Sequence, residues 1–302
     1  MARWSMRVPE PQPESDGLHL LSLVDLQSPD SRMAIEDRSR ARCAVAPVDP
    51  ITAVCRGLGR YKFYVDTRDI GIAAHLMLDG YWELWQTEFI LRNVGAGQVV
   101  GDVGAHIGYF TILMADLVGP TGRVHAFEPN RRLFGLLESN ISVNGYPARV
   151  HARRTGVAEV AEAEIPFLVQ TRDPKNGCIR VGQEAGLGAF DPEQFESYTV
   201  PAAPLDALIP GPVDFLKIDV EGAEELVWRG MQGLIARSPN IRMLLEFNPA
   251  RCTAAAETLA SIAACFPLRR LGLDGQVSAC DAAAILAESE DTILYLSKLP
   301  PL

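Results

Sequence analysis

The sequence predicts a doubly wound α/β fold, a mostly parallel sheet with helices on both faces, preceded by an N-terminal extension. Three observations carry this. Gln98 to Pro129 reads strand, glycine turn, helix, strand and acid, which is half of a nucleotide-binding unit. Val213 to Met231 offers a second passage of strand, acids, glycine and helix. A chain of 302 residues, 48% apolar and 22% charged, suits one large α/β domain better than two equal ones.

The elements follow in order. Residues 1–50 are hard to read: Pro9 to Pro13 is expected to be extended or disordered, and Leu18 to Leu26 is a short apolar patch, either a docking helix or, the preferred reading, a tethered extension packing on the main domain. Ile51 to Thr67 alternates Tyr61, Phe63 and Val65 with Lys62, Tyr64 and Asp66, a β-element. Ile70 to Asp79 and Trp82 to Asn93 read as helices, a layer placed to cover a ligand, with Trp82 and Glu88 as contacts; Trp82 reads equally well as a core aromatic. Val99 to Val103 is a buried strand and Phe110 to Val118 a helix stopped by Gly119-Pro120. Val124 to Phe127 is the second strand, and Asn130 caps a helix carrying Leu133, Phe134, Leu137 and Ile141 on one face. Ala148 to Arg153 is the third strand.

Residues 160–200 look like a hairpin excursion around Asn176-Gly177, followed by the glycine-rich loop Gly182 to Gly188, and are expected to form a substrate lid. Phe215 to Val220 is a central strand, and Gly222 opens one helix whose core face, Ala223, Leu226, Val227, Gly230, Met231, Leu234 and Ile235, keeps helical spacing throughout. Arg242 to Phe247, a helix from Thr253 to Cys265, Leu268 to Leu273, the Asp274-Gly275 turn, a short helix near Asp281 to Glu288 and Thr292 to Leu299 complete the sheet. An antiparallel last strand brings the count to seven.

Composition excludes some functions. A net charge of −10 argues against broad nucleic-acid binding. Val99 to Val118 has the length of a membrane span but holds Asp102, His106 and Asp116, and an Asp at mid-span costs about 2.5–3.5 kcal/mol. With no secretory h-region near Met1, the expected location is the cytoplasm. The six cysteines are scattered, with neither C-x-x-C nor zinc-ligand spacing, and are expected as free thiols.

The chemistry gathers at strand ends. Gly101, Gly104 and Gly108 do not form G-x-G-x-x-G, and Asp102 in this loop disfavours a diphosphate. The loop suits a ligand with a cationic amino group, which describes S-adenosylmethionine. Gly104, Ala105, His106 and Gly108 are then cofactor-loop contacts. Glu128, 20 residues after Gly108, accepts the ribose hydroxyls beside Pro129, and backbone at Gly156 and Val157 flanks the adenine. Asp219 and Glu221 stand at the end of the central strand, where ligands bind in open α/β sheets. Lys217, inside an apolar strand, is expected to pair with an acid, because an unpaired buried charge is expensive.

The segments GDVGAHIGYF, HAFEPNRRLFGLLESNISVNG, DFLKIDVEGAEELVWRGM and MLLEFNP, in that order, resemble the FkbM-like S-adenosylmethionine-dependent methyltransferases. The resemblance covers roughly residues 69–299, and His106 departs from the Asn usual there. It implies a Rossmann-like class I methyltransferase fold with a seven-stranded sheet. It divides the chain into a 1–68 extension and a 69–302 methyltransferase domain. It implies methylation of a hydroxyl on a sugar or natural-product small molecule, with Lys217, Asp219, Glu221 and Glu246 as the catalytic group and Asp219 also near the cofactor. The carboxylates are compatible with a divalent cation, which no sequence feature requires. His75, His106 and His151 are alternative bases. The expected partner is that small molecule, not nucleic acid or membrane, and homodimerisation stays open. Two competing readings remain: a nicotinamide-dependent oxidoreductase, against which the glycine spacing counts, and an inactive methyltransferase-like binding module.

Overall fold

Alternation and punctuation in the sequence translate into layers in the computed structural model, which describes residues 19–28, 32–170, 177–179 and 194–301. Pro9 to Pro13, Leu18, Asn176 and the Gly182–Gly188 loop lie outside the described residues. Helix α1 (Leu23–Leu26) starts at a reciprocal cap, in which the Ser22 hydroxyl accepts from the Asp25 amide at 3.2 Å and the Asp25 carboxylate accepts from the Ser22 amide at 2.7 Å. Helix α2 (Arg32–Ala41) follows. Strands β1 (Val45–Asp49), β2 (Thr52–Gly57) and β3 (Tyr61–Asp66) form an antiparallel sheet in that order. Strand β1 is exposed along its whole length and contains Pro47, so it carries no alternation for a sequence reading to find. In β3, Tyr61, Phe63 and Val65 are buried as the alternation predicts.

The β-sheet edge at β3 is closed by side chains. Asn140 and Asn144, one turn apart on a later helix, pair with alternate β3 residues: the Tyr64 amide donates to Asn140 Oδ1 at 2.6 Å and the Lys62 amide to Asn144 Oδ1 at 3.0 Å. Each asparagine NH2 donates back to the carbonyl of the same residue, at 3.1 and 2.7 Å. A carboxamide copies a peptide group, so these two replace a neighbouring strand. Helices α3 (Ile72–Leu78) and α4 (Leu84–Asn93) come next. Leu21, Leu26, Phe63 and Leu76 share one apolar core with Ile112 and Val124 of the main sheet layer.

The main sheet begins with β4 (Val99–Val103), α5 (Tyr109–Leu117), β5 (Arg123–Phe127), α6 (Arg131–Val143) and β6 (Val150–Arg153). Strands β7 (Gly156–Val157), β8 (Glu162–Gln170), β9 (Cys178–Ile179) and β10 (Phe195–Ala203) then make a separate small sheet in the order β7-β10-β8-β9. After α7 (Leu205–Leu208) come β11 (Phe215–Ile218), α8 (Glu224–Arg229), α9 (Gln232–Arg237), β12 (Arg242–Phe247) and α10 (Ala255–Cys265). Strands β13 (Arg269–Leu271) and β14 (Val277–Ala279), helix α11 (Ala282–Leu286) and strand β15 (Thr292–Leu296) end the chain.

The sheet order is β14-β13-β15-β12-β11-β4-β5-β6. Strands β12, β11, β4, β5 and β6 run parallel, and β15 is antiparallel to β12, as expected. The sheet has eight strands where seven were expected, because β14 folds back on β13 beyond the Asp274-Gly275 turn. The helix expected over Ala223–Ile235 is two. At Gly230 an added Cβ would lie 2.2 Å from the Ala158 carbonyl oxygen, so the chain passes too close to β7 for a side chain, and Asp206 starts α9 by accepting from the Gly233 amide at 2.9 Å. Helix α10 begins after Ala254, without a Thr253 cap. No helix among the described residues is long and apolar enough to cross a membrane.

Candidate active site

The order of the parallel strands reverses at β4, the switch point beside which open α/β sheets place their ligands. A cavity of about 710 Å³ opens there, at the carboxyl ends of β4, β5, β11 and β12. Its floor is the turn after β4. Gly104 has φ +83°, and a Cβ on it would sit 1.7 Å from the Asp219 carbonyl oxygen. The glycine therefore serves the close passage of two chain segments, rather than ligand approach alone. His106 takes φ +53° and donates its amide to Glu128 Oε2 at 2.8 Å, while Glu128 Oε1 accepts from the Asn130 amide at 2.8 Å. Burial pushes the Glu128 carboxyl up to about 7 despite those two donors.

Beside Glu128 the wall is apolar: Leu133, Val157, Phe167 and Ile179 line it with Pro129 and Gly156. A Cβ on Gly156 would meet Ile179 Cδ1 at 2.4 Å. The described part of the 160–200 excursion, expected as a substrate lid, thus contributes Phe167, Gly177 and Ile179 to the cavity wall.

The acidic end is built by β11 and β12. Lys217 is buried, its Nζ 2.9 Å from Asp219 Oδ2 and 4.8 Å from the centre of the Phe110 ring. Asp219, Asp102 and Glu83 raise its pKa well above the ordinary lysine value, against burial, so it stays charged. One carboxylate oxygen each from Asp219, Glu221 and Glu246 lies within 4.8 Å of the other two. Burial first, then the Asp219 charge, pushes Glu221 up to about 7 and Glu246 up to about 9. Glu221 sits at φ +54°, a left-handed conformation uncommon for a non-glycine residue and frequent at functional sites. Arg251 donates to Glu221, to Glu246 at 3.3 Å and to Asp291. Lys217 and Arg251 already bring two positive charges to the place where the sequence left room for a divalent cation.

Of the residues expected at the site, Trp82, Ala105, Glu128, Pro129, Gly156 and Val157 line the cavity together with Gly104 and His106. So do Lys217, Asp219, Glu221 and Glu246. Three expectations need correction. Asp102 does not line the cavity: it is fully buried, accepts from the Thr111 hydroxyl at 2.5 Å, and has its pKa raised by burial, which the Lys217 charge opposes. Gly108, φ +91°, does not line the cavity; a Cβ there would press Leu137 Cδ1 at 2.6 Å, so its role is helix packing. Glu88 is buried and does not line the cavity; it pairs with Arg32, the first residue of α2, at 2.8 Å. Among the histidines weighed as bases, His75 and His151 are exposed and off the cavity, and His106 lines it.

The sequence reading missed Glu83, Arg251 and Asp291, all of which line the cavity. Glu83 stands between Trp82 and Trp85 in a left-handed turn at the start of α4. Arg251 lies five residues past Glu246, so a cation just beyond a strand that ends in an acid was the available signal. Asp291 carried none.

Fold, strand order and strand-end acids define a Rossmann-like domain of the class I methyltransferase type. The Methyltransferase FkbM domain matches residues 102–270, more than half of the chain, and the chain belongs to that family. A search of curated proteins returns no match. Among solved structures, the methyltransferase FkbM from Methylobacillus flagellatus KT is 18% identical, with a TM-score of 0.42 over 66% of this chain and 43% of its own. An S-adenosylmethionine-dependent O-methyltransferase from Thermotoga maritima is 16% identical, with a TM-score of 0.39 over 82% of this chain and 78% of its own. The O-methyltransferase from Bacillus cereus, solved in complex with SAH, is 14% identical, with a TM-score of 0.39 over 76% and 83%.

Proposed function

We infer that this methyltransferase uses S-adenosylmethionine and methylates a hydroxyl oxygen on a sugar or natural-product small molecule. The observation that carries the reading is one continuous cavity with Glu128 against an apolar wall at one end and Asp219, Glu221 and Glu246 at the other. The residues present fit the cofactor. Glu128 offers carboxylate acceptors for ribose hydroxyls, and Val157, Phe167 and Ile179 offer an apolar slot for a base. The acids favour a cationic sulfonium and amino group. S-adenosylmethionine supplies a sulfonium methyl group, the electrophile that an acceptor oxygen takes.

The chain's own residues do the rest. A hydroxyl is a weak nucleophile, so its proton must leave as the new bond forms. Glu221, with its carboxyl at about 7, is poised to take that proton near neutral pH. Glu246, at about 9, keeps its own proton there and serves as a hydrogen-bond donor toward the acceptor. Lys217, kept charged by the neighbouring acids against burial, holds Asp219 in place.

Calorimetry with S-adenosylhomocysteine and NAD, followed by transfer from methyl-labelled S-adenosylmethionine to a panel of hydroxylated small molecules, tests the reading. Binding of the first ligand only, with label appearing in an alkali-stable ether, is expected. Binding of NAD alone would overturn it, as would methyl transfer to nitrogen or carbon only.

A further inference from the structure

Arg251 belongs to no role assigned so far, yet its guanidinium joins three parts of the chain. The turn that returns it over the site is closed by Asn248, whose side chain accepts from the Ala250 amide at 2.9 Å and whose carbonyl accepts from the Arg251 amide at 3.1 Å. One guanidinium nitrogen then donates to Glu221, past the end of β11, and the other to Glu246, on β12, and to Asp291, ahead of β15. Asn248 Nδ2 ties Asp291 from the other side at 2.9 Å. The stem of Arg251 lies on Gly222, φ +101°, where a Cβ would come within 3.3 Å of Arg251 Cβ. The residue after Glu221 is thus shaped to receive Arg251.

The two cations at this end divide the carboxylates between them. Lys217 is committed to Asp219, and Arg251 touches the other three. A planar fork can engage several carboxylates at once, which an ammonium on a flexible stem cannot hold in fixed geometry.

Resting on the reading of this cavity as a methyl-transfer site, we propose that Arg251 is a positioning residue that acts through Glu221, fixing the carboxylate that faces the acceptor and keeping it ionised. The groups around Glu221 make this necessary. Asp219 from its own strand end and Glu224 from the start of α8 repel its charge, and Glu246 from β12 stands within the same cluster. Around Glu246 the facing groups are Asp219, Lys217, Glu221 and Glu83. Arg251 is the cation in contact with Glu221, and it opposes both burial and the neighbouring acids. Without it, Glu221 would hold its proton to higher pH and fail as a base near neutrality.

The test is a carboxyl-carbon NMR titration of glutamate-labelled protein, with Glu221→Gln assigning the Glu221 signal. Arg251→Met is expected to raise the Glu221 midpoint by about one pH unit or more, the scale set by one opposite charge at contact. Its affinity for S-adenosylhomocysteine is expected to stay within about threefold, since no contact of Arg251 reaches Glu128. Arg251→Lys is expected to shift the midpoint less than Arg251→Met, because the charge is kept and the fork is lost. An unmoved Glu221 midpoint in folded Arg251→Met would reduce Arg251 to a structural tie and overturn the proposal. Should Arg251→Met not fold, an unmoved midpoint in folded Arg251→Gln, which also removes the charge, would do the same. Failure of the wild-type protein to bind S-adenosylhomocysteine strikes the cofactor reading instead, and shows itself in a separate measurement.

Discussion

Asp102 and Lys217 are partners in the β4–β11 ladder and both are buried, yet each sends its hydrogen bond elsewhere, Asp102 accepting from Thr111 and Lys217 donating to Asp219. The pair couples through charge alone: Lys217 opposes the burial that raises the Asp102 pKa, and Asp102 helps hold Lys217 protonated. The floor of the site is therefore an ion lattice, and removing one charge leaves others buried without compensation.

Lys217→Met tests that lattice. Stranding Asp102 and Asp219 should cost about 3–5 kcal/mol, the range for breaking a buried ion pair. The pH dependence has a definite sign. The folded-state pKa of Asp102 is already raised, so the folded protein binds a proton more readily than the unfolded chain, and this contribution weakens stability as pH rises through the shifted value. Losing Lys217 enlarges the shift. The deficit in Tm should accordingly be larger at pH 7 than at pH 5; an equal deficit at both would remove Asp102 from the account.

Glu128 predicts a pH-dependent cofactor affinity. Burial holds its carboxyl at about 7 in the free protein, and hydroxyl donors from a ribose would favour the ionised form. Binding should then release a proton, so that S-adenosylhomocysteine binds more tightly at pH 8 than at pH 6. Glu128→Gln should weaken binding by about 1.5–3 kcal/mol, as for loss of a charge-assisted hydrogen bond. It should also flatten that pH dependence. Calorimetry in buffers of different ionisation enthalpy counts the proton directly.

Two glycines should respond in opposite ways to alanine. Gly104→Ala drives a methyl group into the Asp219 carbonyl at a positive φ, and should cost more than about 3 kcal/mol, combining strain and overpacking. Gly135, inside α6 with no atom near its would-be Cβ, should gain about 0.5–1 kcal/mol on becoming alanine. Urea unfolding of both variants gives the comparison, and a tolerated Gly104→Ala would show that the β4 turn yields.

The acids should separate binding from chemistry. Glu221→Gln and Asp219→Asn should each lose at least about tenfold in turnover number, the lower end of general acid–base effects. In Glu221→Gln, cofactor affinity should change little, as for a group that acts mainly on the transition state. In the wild-type protein the rate should rise with pH around a midpoint near 7, where Glu221 sheds its proton. A rate independent of pH between 6 and 8 would shift the base to another group.

Hydrophobic spacing, glycines and strand-end acids are local signals, and they made the main sheet from β4 to β12 legible in the sequence together with Glu128, Asp219, Glu221 and Glu246. Lys217 could be read as paired because an apolar strand cannot hold a lone charge. Contacts between distant segments left no such mark. Asp102 looked like a ligand contact because its place in the turn was visible and its neighbour Thr111, inside α5, was not. Glu88 looked free to face the cofactor until α2 supplied Arg32. The second closure of the sheet edge, by β14, depended on how three exposed or half-exposed residues folded back on β13. Arg251 and Asp291, forty residues apart, meet only because β15 returns antiparallel beside β12. Residue spacing along the chain determined which elements form and where their acids end; the packing of those elements decided which charges meet, because electrostatic coupling follows distance in space and not along the sequence.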